Sequence, residues 1–589
     1  MSFAHRLLAT MAKRARSPSP IYLPHRVTKK THKDVQFLPN KIATKENAVK
    51  ADAEPPLRML LKALETVVKN PKKGDAVVYW MRMEDLRVSD NRALARASGQ
   101  AQKDGVPLLV IFIISPQDHI AHDRSARRID FTLRNLSSIK ASLAPLNIPL
   151  YTKIHTQRRT LPALVISLLT HWRATHLFAN IEYEVDELRR DIRVCELAKE
   201  NGIGVEFFHD RCLVEPGKVL TKEGKPYTIY SPFQRNWLSQ INSNLSWLDE
   251  APPPSPNPKS VHEDPAFKIL FEAPIPDVVE GFECMDREEM KEMWPAGTDS
   301  AKQVLIRFLH TKSRSSQLGA VNPLSPGAET SDKKSRAASY KDMRDRGDRD
   351  TTSRLSPYLA AGVISARECV RQSMKLLGVT KIQATRDTGV GMWVMEIAWR
   401  DFYTHVMAAF PRVSMGRPFQ EKFAVVKWET NEEHLQSWKE GRTGVPIVDA
   451  AMRQGNKMGW IHNRMRMAAA MYLTKDLMID WRLGEKYFME ILIDGDLASN
   501  NGGWQWSAST GTDPQPYFRI FNPYKQSEKA DPTGDYIRYF VPELTKLRGP
   551  DIHNPSASAA AKLGYPKPLV NHDEARKRAL RRYKTPGDE

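Results

Sequence analysis

The densest group of chemically useful residues lies between Asp494 and Trp506. These thirteen residues contain two carboxylates, three amides, three glycines and two indoles. The adjacent Gly502 and Gly503 permit a close backbone approach to a planar or polar group. Trp504 and Trp506 flank a single residue, so their rings point in different directions. We therefore expect one indole to meet a buried cofactor and the other to face a second aromatic ligand.

A carboxylate within an aromatic stripe marks a helix predicted at about 391–407. Trp393, Glu396, Trp399 and Arg400 share one face of this helix at three- and four-residue spacing. Burial of an unpaired carboxylate costs on the order of several kcal/mol, so Glu396 should pair with a base or hydrogen-bond a ligand. The alternative is a core stripe of indoles with Glu396 at its solvent edge.

Two further motifs place polar and cationic groups where helices begin. Residues 352–357 read Thr-Ser-Arg-Leu-Ser-Pro just before a helix predicted to begin near Tyr358. The motif suits a phosphate anion, although an ordinary helix cap has the same composition. Asn463, Arg464 and Met467 lie around one face of another helix start and offer amide, cationic and soft contacts. Met467 could equally be a core residue.

The composition limits the partners. The chain has 589 residues, a formal net charge of +19 and a pI near 9.5, which indicates at least two domains and a polyanionic partner, with nucleic acid the leading candidate. A basic protein with a basic leader is the alternative. The four cysteines form no Cys-x-x-Cys pair, so we expect neither a disulfide framework nor a metal site. No apolar run approaches the roughly 18 residues that a membrane span needs.

The N-terminus has the composition of a targeting leader. Eight Lys and Arg residues precede the first acid, Asp34. Residues 1–10 are amphipathic and carry an arginine, as in mitochondrial signals, whereas Lys-Arg-Ala-Arg at 13–16 is typical of nuclear import. We expect localisation to the nucleus and also to the mitochondrion. A solvated, disordered tail is the alternative.

The remaining chain has an α/β half and a helical half. Apolar runs of strand length occur at 76–80, 108–115, 148–154, 176–180 and 204–209. Helical patterns lie between them, and this alternation indicates a parallel, Rossmann-like sheet. No Gly-x-Gly-x-x-Gly follows the first run, so dinucleotide binding is disfavoured in this half. Helical periodicity dominates from about residue 300, and the second domain is predicted to be mostly α-helical.

These patterns divide the chain into five segments. Residues rich in Pro, Ser and charge separate the two halves and indicate a connector. The predicted order is a largely disordered basic leader at 1–73, an α/β domain at 74–212, the connector at 213–299, a helical domain at 300–570 and a basic C-terminal tail at 571–589.

Taken together, the motifs resemble the DNA photolyase and cryptochrome family, most closely the class I cyclobutane pyrimidine dimer photolyases of the eukaryotic, fungal-like kind. The resemblance extends from Asp75 to about Arg582. The matching segments are 80–87, 352–356, 393–403, 440–449, 460–467, 494–506 and 517–523. The resemblance implies that the helical domain binds FAD in a bent form, with FADH⁻ as the working state, and that the α/β domain carries an antenna chromophore.

The resemblance also implies which residues hold the cofactor. FAD would be lined by Tyr340, Thr352, Ser353, Arg354, Leu355, Ser356, Trp393, Asp494, Gly495 and Asp496. Asn500 would oppose flavin N5, where a neutral amide accepts from N5–H and tolerates the anionic hydroquinone. Arg466 and Asp494 would form a buried ion pair beside the flavin.

The substrate implied by the resemblance is ultraviolet-damaged DNA that contains a cyclobutane pyrimidine dimer, flipped out of the duplex. The residues implied to contact it are Glu396, Trp399, Asn463, Met467 and Trp506, with Arg344, Arg464 and Arg519 clamping phosphates. Light-excited FADH⁻ would donate an electron to the dimer, the ring would open, and the electron would return, which is a carbon–carbon lyase reaction. Trp504, Trp481 and Trp428 would carry a hole to the surface when FADH⁻ is restored.

The antenna and the rival functions complete the expectations. His122, Asp186 and Glu187 resemble contacts to 5,10-methenyltetrahydrofolate. Deazaflavin is the alternative, because Ser414-Met415 stands where the bacterial folate enzyme has Cys-Lys. A cryptochrome would share the fold, but the intact dimer pocket favours repair. A (6-4) photolyase is disfavoured because only His462 stands where a histidine pair is expected, and a plain DNA-binding protein leaves the motifs unexplained. We expect a monomer.

Overall fold

The computed structural model describes residues 42–314, 321–512 and 519–587, and the targeting motifs at 1–10 and 13–16 lie outside them. Helices α1 (Lys45–Ala53) and α2 (Pro56–Glu65) lie within the segment assigned to a disordered leader. Leu57 and Leu60 of α2 are buried against the α/β domain. Residues 45–65 are therefore folded, and the expectation of disorder does not hold for this part of the leader.

The five predicted strands form one sheet. They are β1 (Ala76–Trp80), β2 (Leu108–Ile114), β3 (Leu150–Ile154), β4 (Ala174–Asn180) and β5 (Gly204–Phe208), in the spatial order β3-β2-β1-β4-β5 with every pair parallel. The connecting helices are α3 (Arg92–Asp104), α4 (Pro116–Ala121), α5 (Ala126–Leu143), α6 (Leu161–His171) and α7 (Val185–Glu200). The prediction of a parallel α/β domain is confirmed.

The central strand is buried on both faces. Val77 and Tyr79 point to one side and join a core with α3 and α5. Val78 and Trp80 point to the other side and pack with α2, α6 and α7. Because successive strand residues alternate faces, a strand covered on both sides must be apolar throughout, as β1 is.

Helices make up most of the chain after β5, and from about residue 300 onward this agrees with the prediction. In the described part of the chain, no strand longer than an isolated bridge follows β5. The helices that begin between β5 and residue 400 are α8 (Tyr230–Ser243), α9 (Pro265–Glu272), α10 (Arg287–Met293), α11 (Thr298–His310), α12 (Tyr340–Met343), α13 (Ser356–Ala360), α14 (Ala366–Leu377) and α15 (Gly389–Ala409). Those that follow are α16 (Glu432–Glu440), α17 (Pro446–Met458), α18 (Asn463–Met471), α19 (Trp481–Ile491), α20 (Leu497–Ala508), α21 (Pro523–Ala530), α22 (Asp535–Phe540), α23 (Ala557–Lys562) and α24 (His572–Lys584). Among the described residues, no helix is long and apolar enough to cross a bilayer.

The segments predicted as a connector and as a basic C-terminal tail both bury residues in the core. In the connector, Phe233 and Trp237 of α8 are buried, and the Trp237 indole N–H donates to Asp401 Oδ2 on α15 at 3.0 Å. In the C-terminal tail, Ala575, Ala579 and Tyr583 recur every fourth residue along α24 and are buried. Both segments therefore contribute packing faces to the helical domain.

Candidate active site

The start of α20 is anchored to the α/β domain. Asp496 caps the helix by accepting from the Ser499 backbone N–H at 2.9 Å, and it pairs with Arg211, which follows β5, at 2.5 Å. Arg211 also contacts Glu84. Burial alone would raise the pKa of Asp496, but Arg211, Arg400 and the Ser499 N–H together outweigh it and hold the pKa below its usual range. Asp496, predicted to line a cofactor, thus uses its carboxylate to fix α20 between the domains.

Asp494 retains an acceptor for a ligand. Its Oδ2 pairs with Arg466 Nη2 at 2.6 Å, as the sequence predicted, and Arg466 Nε donates to Ile461 O at 2.8 Å. The Asp494 side chain is only 2% exposed, and its Oδ1 has no hydrogen-bond partner in the described part of the protein. A buried carboxylate oxygen without a donor is costly, so the site suits a ligand that presents an N–H or O–H group there.

The Asn500 amide is oriented by the neighbouring helix. Its Nδ2 donates to the main-chain carbonyl of Glu485 on α19 at 2.9 Å. This bond uses the donor side of the amide and leaves Oδ1 to accept. Asn501 extends the contact, because its Nδ2 donates to Glu485 Oε1 at 2.8 Å and to Val413 O at 2.9 Å.

The two adjacent glycines of α20 have different surroundings. A Cβ on Gly502 would lie 2.1 Å from Cδ1 of Tyr403, so this glycine lets α15 and α20 pack closely. A Cβ on Gly503 would meet no protein atom within 4 Å. The expected approach of a planar group is therefore made by a tyrosine of the protein at Gly502, while the space beside Gly503 is open.

Thr352 and Arg354 of the motif before α13 line a small cavity. Arg354 adopts the left-handed region, with φ of 54°, and its Nε donates to Asp350 Oδ1 at 3.1 Å. The Ser356 hydroxyl accepts from the Trp460 indole N–H at 3.0 Å. The residues around the cavity are Gly347, Arg349, Asp350, Thr352, Arg354, Gln454, Trp460, His462 and Tyr536.

The other predicted cofactor residues differ in exposure. Leu355 is buried, Ser353 is half-buried, and its hydroxyl accepts from the Leu355 backbone N–H at 3.3 Å. Tyr340 and Trp393 both pack against Phe308, with ring centroids 5.8 and 5.1 Å away. Phe308 is thus a supporting residue that the motif analysis missed, since nothing but its apolar position on α11 distinguishes it.

Glu396 is paired, as its aromatic surroundings required. Arg344 Nη1 donates to Glu396 Oε1 at 2.5 Å. Burial raises the pKa of Glu396, and Arg344 only partly offsets that effect. Arg344, predicted as a phosphate clamp, therefore forms an ion pair with the pocket carboxylate.

Trp399 lies about one helical turn after Glu396 on α15. Its ring stacks on Tyr230, with centroids 3.5 Å apart and planes 6° apart, and the Tyr230 hydroxyl donates to Met395 O at 2.8 Å. One indole face is therefore covered by protein. Tyr230 was missed by sequence reasoning because it lies in the segment interpreted as a connector.

The remaining residues implied to contact the dimer or its phosphates are half-buried or exposed. Asn463 is exposed, Met467 and Trp506 are half-buried, and Asn463 and Met467 are one turn apart on α18. Arg464 pairs with Asp345 at 2.7 Å, and the Arg519 guanidinium lies 5.3 Å from the centroid of the Trp506 ring. Two of the three predicted clamp arginines, Arg344 and Arg464, thus have acidic partners, whereas Arg519 lies over an indole.

The three tryptophans of the predicted hole path range from the core towards the surface. Trp504 and Trp481 are 2% and 1% exposed, and Trp428 is half-buried. Gly484, three residues after Trp481, admits the Trp504 ring, because a Cβ there would lie 2.1 Å from its Cη2 atom. The Glu429 backbone N–H donates to Met478 O at 2.7 Å, which places Trp428 next to the segment that leads into α19.

The predicted antenna residues meet where α4 ends and α7 begins. His122 Nε2 lies 2.8 Å from Glu187 Oε1, and Arg158 pairs with Asp186 at 2.9 Å. The pairing raises the pKa of His122 and lowers that of Glu187, in both cases against the effect of burial. Glu184, which sequence reasoning missed, is buried beside them, and burial raises its pKa to about 7.

Comparisons with known proteins agree across the chain. The family model for the FAD binding domain of DNA photolyase matches residues 393–585, and the model for DNA photolyase matches residues 77–259. A deoxyribodipyrimidine photo-lyase of Neurospora crassa is 40% identical, over 96% of this chain and 92% of its own. A mitochondrial deoxyribodipyrimidine photo-lyase of Saccharomyces cerevisiae is 34% identical, over 89% and 90%. The crystal structure of a class III photolyase from Agrobacterium tumefaciens is similar with a TM-score of 0.70 at 30% identity, covering 88% of this chain and 99% of that one.

Proposed function

The chain belongs to the DNA photolyase family, and from this premise we propose that it repairs cyclobutane pyrimidine dimers in DNA under light. The observation that carries the proposal is the Glu396–Arg344 pair beside Trp399. A flipped dimer presents polar base edges and a broad apolar face. A carboxyl group and an indole in one half-buried pocket suit both.

FAD is the cofactor that suits the residues around this pocket. The residues proposed to hold it are Tyr340, Thr352, Ser353, Arg354, Leu355, Ser356, Trp393, Asp494 and Gly495, with Asp496 fixing the helix that follows. Asp494 Oδ1 needs a donor, and a flavin ring N–H or a ribose hydroxyl would supply one. When bound and reduced, the cofactor supplies on illumination the electron that opens the cyclobutane ring and receives it back, so the reaction has no net redox change.

The protein's part in this reaction is to hold groups in place. Asn500 presents Oδ1 as an acceptor for flavin N5–H, because its Nδ2 is engaged by Glu485. When protonated, Glu396 can donate a hydrogen bond to a carbonyl of the base. Its raised pKa increases the fraction of Glu396 that is protonated. Trp399, held by Tyr230, replaces the stacking that the bases lose on flipping.

The rim is proposed to bind the DNA backbone and the rest of the lesion. Asn463, Met467 and Trp506 would complete the pocket. Arg464 and Arg519 would clamp phosphates beside it, and a chain of net charge +19 attracts a polyanion. Arg344 is proposed to act mainly through Glu396, since the two are paired. Binding should weaken as salt concentration rises.

Two further roles are proposed for residues away from the dimer pocket. Trp504, Trp481 and Trp428 would carry the hole outward during light-driven reduction of oxidised flavin, since they run from core to surface. His122, Asp186 and Glu187 would bind an antenna chromophore. Methenyltetrahydrofolate is preferred, and deazaflavin is the alternative.

Location and assembly follow from the basic leader and the binding surface. We propose a nuclear enzyme with a mitochondrial pool, for which the motifs at 13–16 and 1–10 are the support, and a monomer whose basic face is free for DNA. The relative from Saccharomyces cerevisiae carries the word mitochondrial in its name. Imaging of fusions that carry or lack residues 1–10 would test the two destinations.

Repair of a defined thymine cyclobutane dimer by the purified, reduced protein tests the function. The protein is illuminated with blue or near-ultraviolet light, with a dark control and a (6-4) lesion in parallel. We expect light-dependent restoration of the cyclobutane lesion alone. Bound flavin without repair of either lesion would contradict the proposal and would point to a cryptochrome.

A further inference from the structure

Glu485 is the one residue of α19 that bonds to both amides at the start of α20. Its main-chain carbonyl accepts from Asn500 Nδ2 at 2.9 Å, and its Oε1 accepts from Asn501 Nδ2 at 2.8 Å. Asn501 is fixed in turn, because it also donates to Val413 O and its Oδ1 accepts from Gln505 Nε2 at 3.0 Å. Glu485 thus belongs to a network in which each amide has one available orientation.

We propose that Glu485 is a positioning residue for Asn500, and that the charge on its carboxyl group controls how readily the site holds a reduced, anionic flavin. The inference rests on the proposed placement of Asn500 opposite flavin N5. The carbonyl of Glu485 keeps Asn500 Oδ1 turned towards the cofactor, and the Asn501 bond to the carboxyl group holds α19 and α20 in the register that this contact needs.

The carboxyl group lacks a cation of its own. Among the described residues no ion pair is made to Glu485, and the charged groups around it already have partners. On α19, Arg482 pairs with Asp480 at 2.6 Å and its Nε donates to Gly416 O at 2.7 Å. From the loop after α4, Asp123 pairs with Lys486 at 2.7 Å. The segment 411–416 presents carbonyl groups, and α20 presents the two amides.

These surroundings place the ionisation of Glu485 near neutral pH. Burial raises its pKa to about 7, Asp123 and Asp480 add to the effect, and Asn501 and Arg482 oppose it. Below that pH the group is a neutral acid. Above that pH the group is a carboxylate, on the residue whose main-chain carbonyl bonds Asn500. Its negative charge there disfavours a further negative charge on the bound ring system.

The potential of the flavin measures this charge. The one-electron step that ends in the anionic reduced flavin takes up no flavin proton, so any pH dependence reports a neighbouring group. In the FAD-loaded wild type, we expect the potential of this step to fall as the pH rises, in a transition near pH 7. In Glu485→Gln, which keeps the acceptor for Asn501, the transition should be lost and the potential should stay at the wild-type low-pH value. Persistence of the transition in Glu485→Gln would overturn the proposal.

Glu490→Gln is the matched control. It removes one carboxylate from the same helix, where Glu490 Oε1 lies 3.6 Å from Lys486 Nζ. We expect the transition near pH 7 to remain in this variant. Its loss there as well would mean that the helix as a whole, not Glu485, sets the pH dependence, and would overturn the assignment.

A double-variant cycle tests the positioning role. Below the transition Glu485 is neutral in the wild type, so a shift measured at that pH reports position and not charge. Glu485→Ala removes the acceptor for Asn501, so at that pH it should shift the potential in the same direction as Asn500→Ala and by a smaller amount. The double variant should then shift no further than Asn500→Ala alone. Additive shifts would show that Glu485 does not act through Asn500.

FAD content and repair separate this inference from the proposed function. If the wild-type protein binds no FAD, both the proposed placement of Asn500 opposite flavin N5 and the inference about Glu485 are wrong. A protein that holds FAD but repairs no dimer contradicts the proposed function, while the potentials still decide the role of Glu485.

Discussion

Single side chains in this protein combine two roles that a motif alone does not separate. Asp494 gives one carboxylate oxygen to Arg466 and keeps the other for a ligand. Asp496, two residues later, gives its carboxylate to the protein as a helix cap and as a partner of Arg211. Both residues are aspartates in the same motif, so the sequence does not distinguish the ligand-binding role from the helix-capping role. The surroundings of each carboxylate determine which role it has.

Replacement of Glu396 by alanine should separate repair from cofactor binding. Glu396→Ala removes the carboxylate that pairs with Arg344. We expect repair per absorbed photon to fall several-fold, while FAD stays bound and stability changes by less than about 1 kcal/mol because the pair is partly exposed. Glu396→Gln, which keeps a hydrogen-bonding group, is the control and should retain more repair. Equal repair by wild type and Glu396→Ala would rule out the role.

Replacement of Trp504 should block light-driven reduction without abolishing repair. Trp504 is buried between Phe488 and Trp438, with ring centroids 4.9 and 6.0 Å away. In Trp504→Phe, illumination with an external donor should leave the flavin oxidised, whereas enzyme reduced beforehand should still repair dimers. Trp438→Phe alters a neighbouring buried indole outside the proposed path and should still be photoreduced. Unchanged photoreduction in Trp504→Phe would contradict the proposed hole-transfer path through Trp504.

At the scale of elements, close helix packing creates the site. α15 carries Glu396 and Trp399, and α20 carries Asn500 and Trp506. The two helices approach each other where Gly502 meets the Tyr403 ring. A larger residue at this crossing would separate the two sets of side chains, so the glycine is a requirement of the interface.

The glycine pair of α20 provides a matched test of this packing. Gly502→Ala places a Cβ 2.1 Å from the Tyr403 ring, which something must move to relieve, whereas Gly503→Ala meets no protein atom. We expect Gly502→Ala to destabilise the protein by about 1–3 kcal/mol, and Gly503→Ala to be neutral or stabilising by up to about 1 kcal/mol. Thermal unfolding of both apoproteins measures the difference. Equal unfolding temperatures would contradict the packing argument.

The elements themselves were largely predictable, and their exceptions have physical causes. β1 and β2 were found from sequence because a strand buried on both faces is a continuous apolar run. The part played by Tyr230 was not predictable, because prolines around α8 suggested a connector and no local pattern reveals that a ring stacks on Trp399. α24 was interpreted as a tail because its many charges mask three buried positions.

For the candidate site, local sequence patterns predicted what a residue requires but not which distant residue supplies it. Local patterns predicted the Glu396 requirement for a partner, since a carboxylate among indoles must be paired. They could not identify Arg344 as that partner, which lies 52 residues away in the chain. Glu485 was also missed, because its main-chain carbonyl, which no sequence pattern reports, makes the contact with Asn500.

At the scale of the whole molecule, the α/β domain helps to build the site on the helical domain. Arginines near the sheet reach across to the loop before α20: Arg124 Nη1 donates to Gly495 O at 2.8 Å, and Arg128 Nη1 donates to Ile493 O at 3.3 Å. These bonds hold the backbone on both sides of Asp494. The cofactor site therefore depends on how the two domains are joined.

Arg211 is the clearest test of that dependence. It is buried and bridges Glu84 of the α/β domain to Asp496 of the helical domain. Arg211→Met would leave two buried carboxylates without their cation, so we expect a loss of about 3–5 kcal/mol of stability together with a lower FAD content, because the start of α20 loses its anchor. Calorimetric unfolding and the ratio of bound flavin to protein measure the two effects.

The control for Arg211 is a surface arginine of the same domain. Arg193 pairs with Glu196 at 2.7 Å, and about half of each side chain is exposed. Arg193→Met should therefore leave the unfolding temperature and the flavin content unchanged. If Arg211→Met loses stability but keeps its full flavin content, the domain interface supports folding alone. If it loses both while Arg193→Met loses neither, the α/β domain contributes to cofactor binding through the anchor at Asp496.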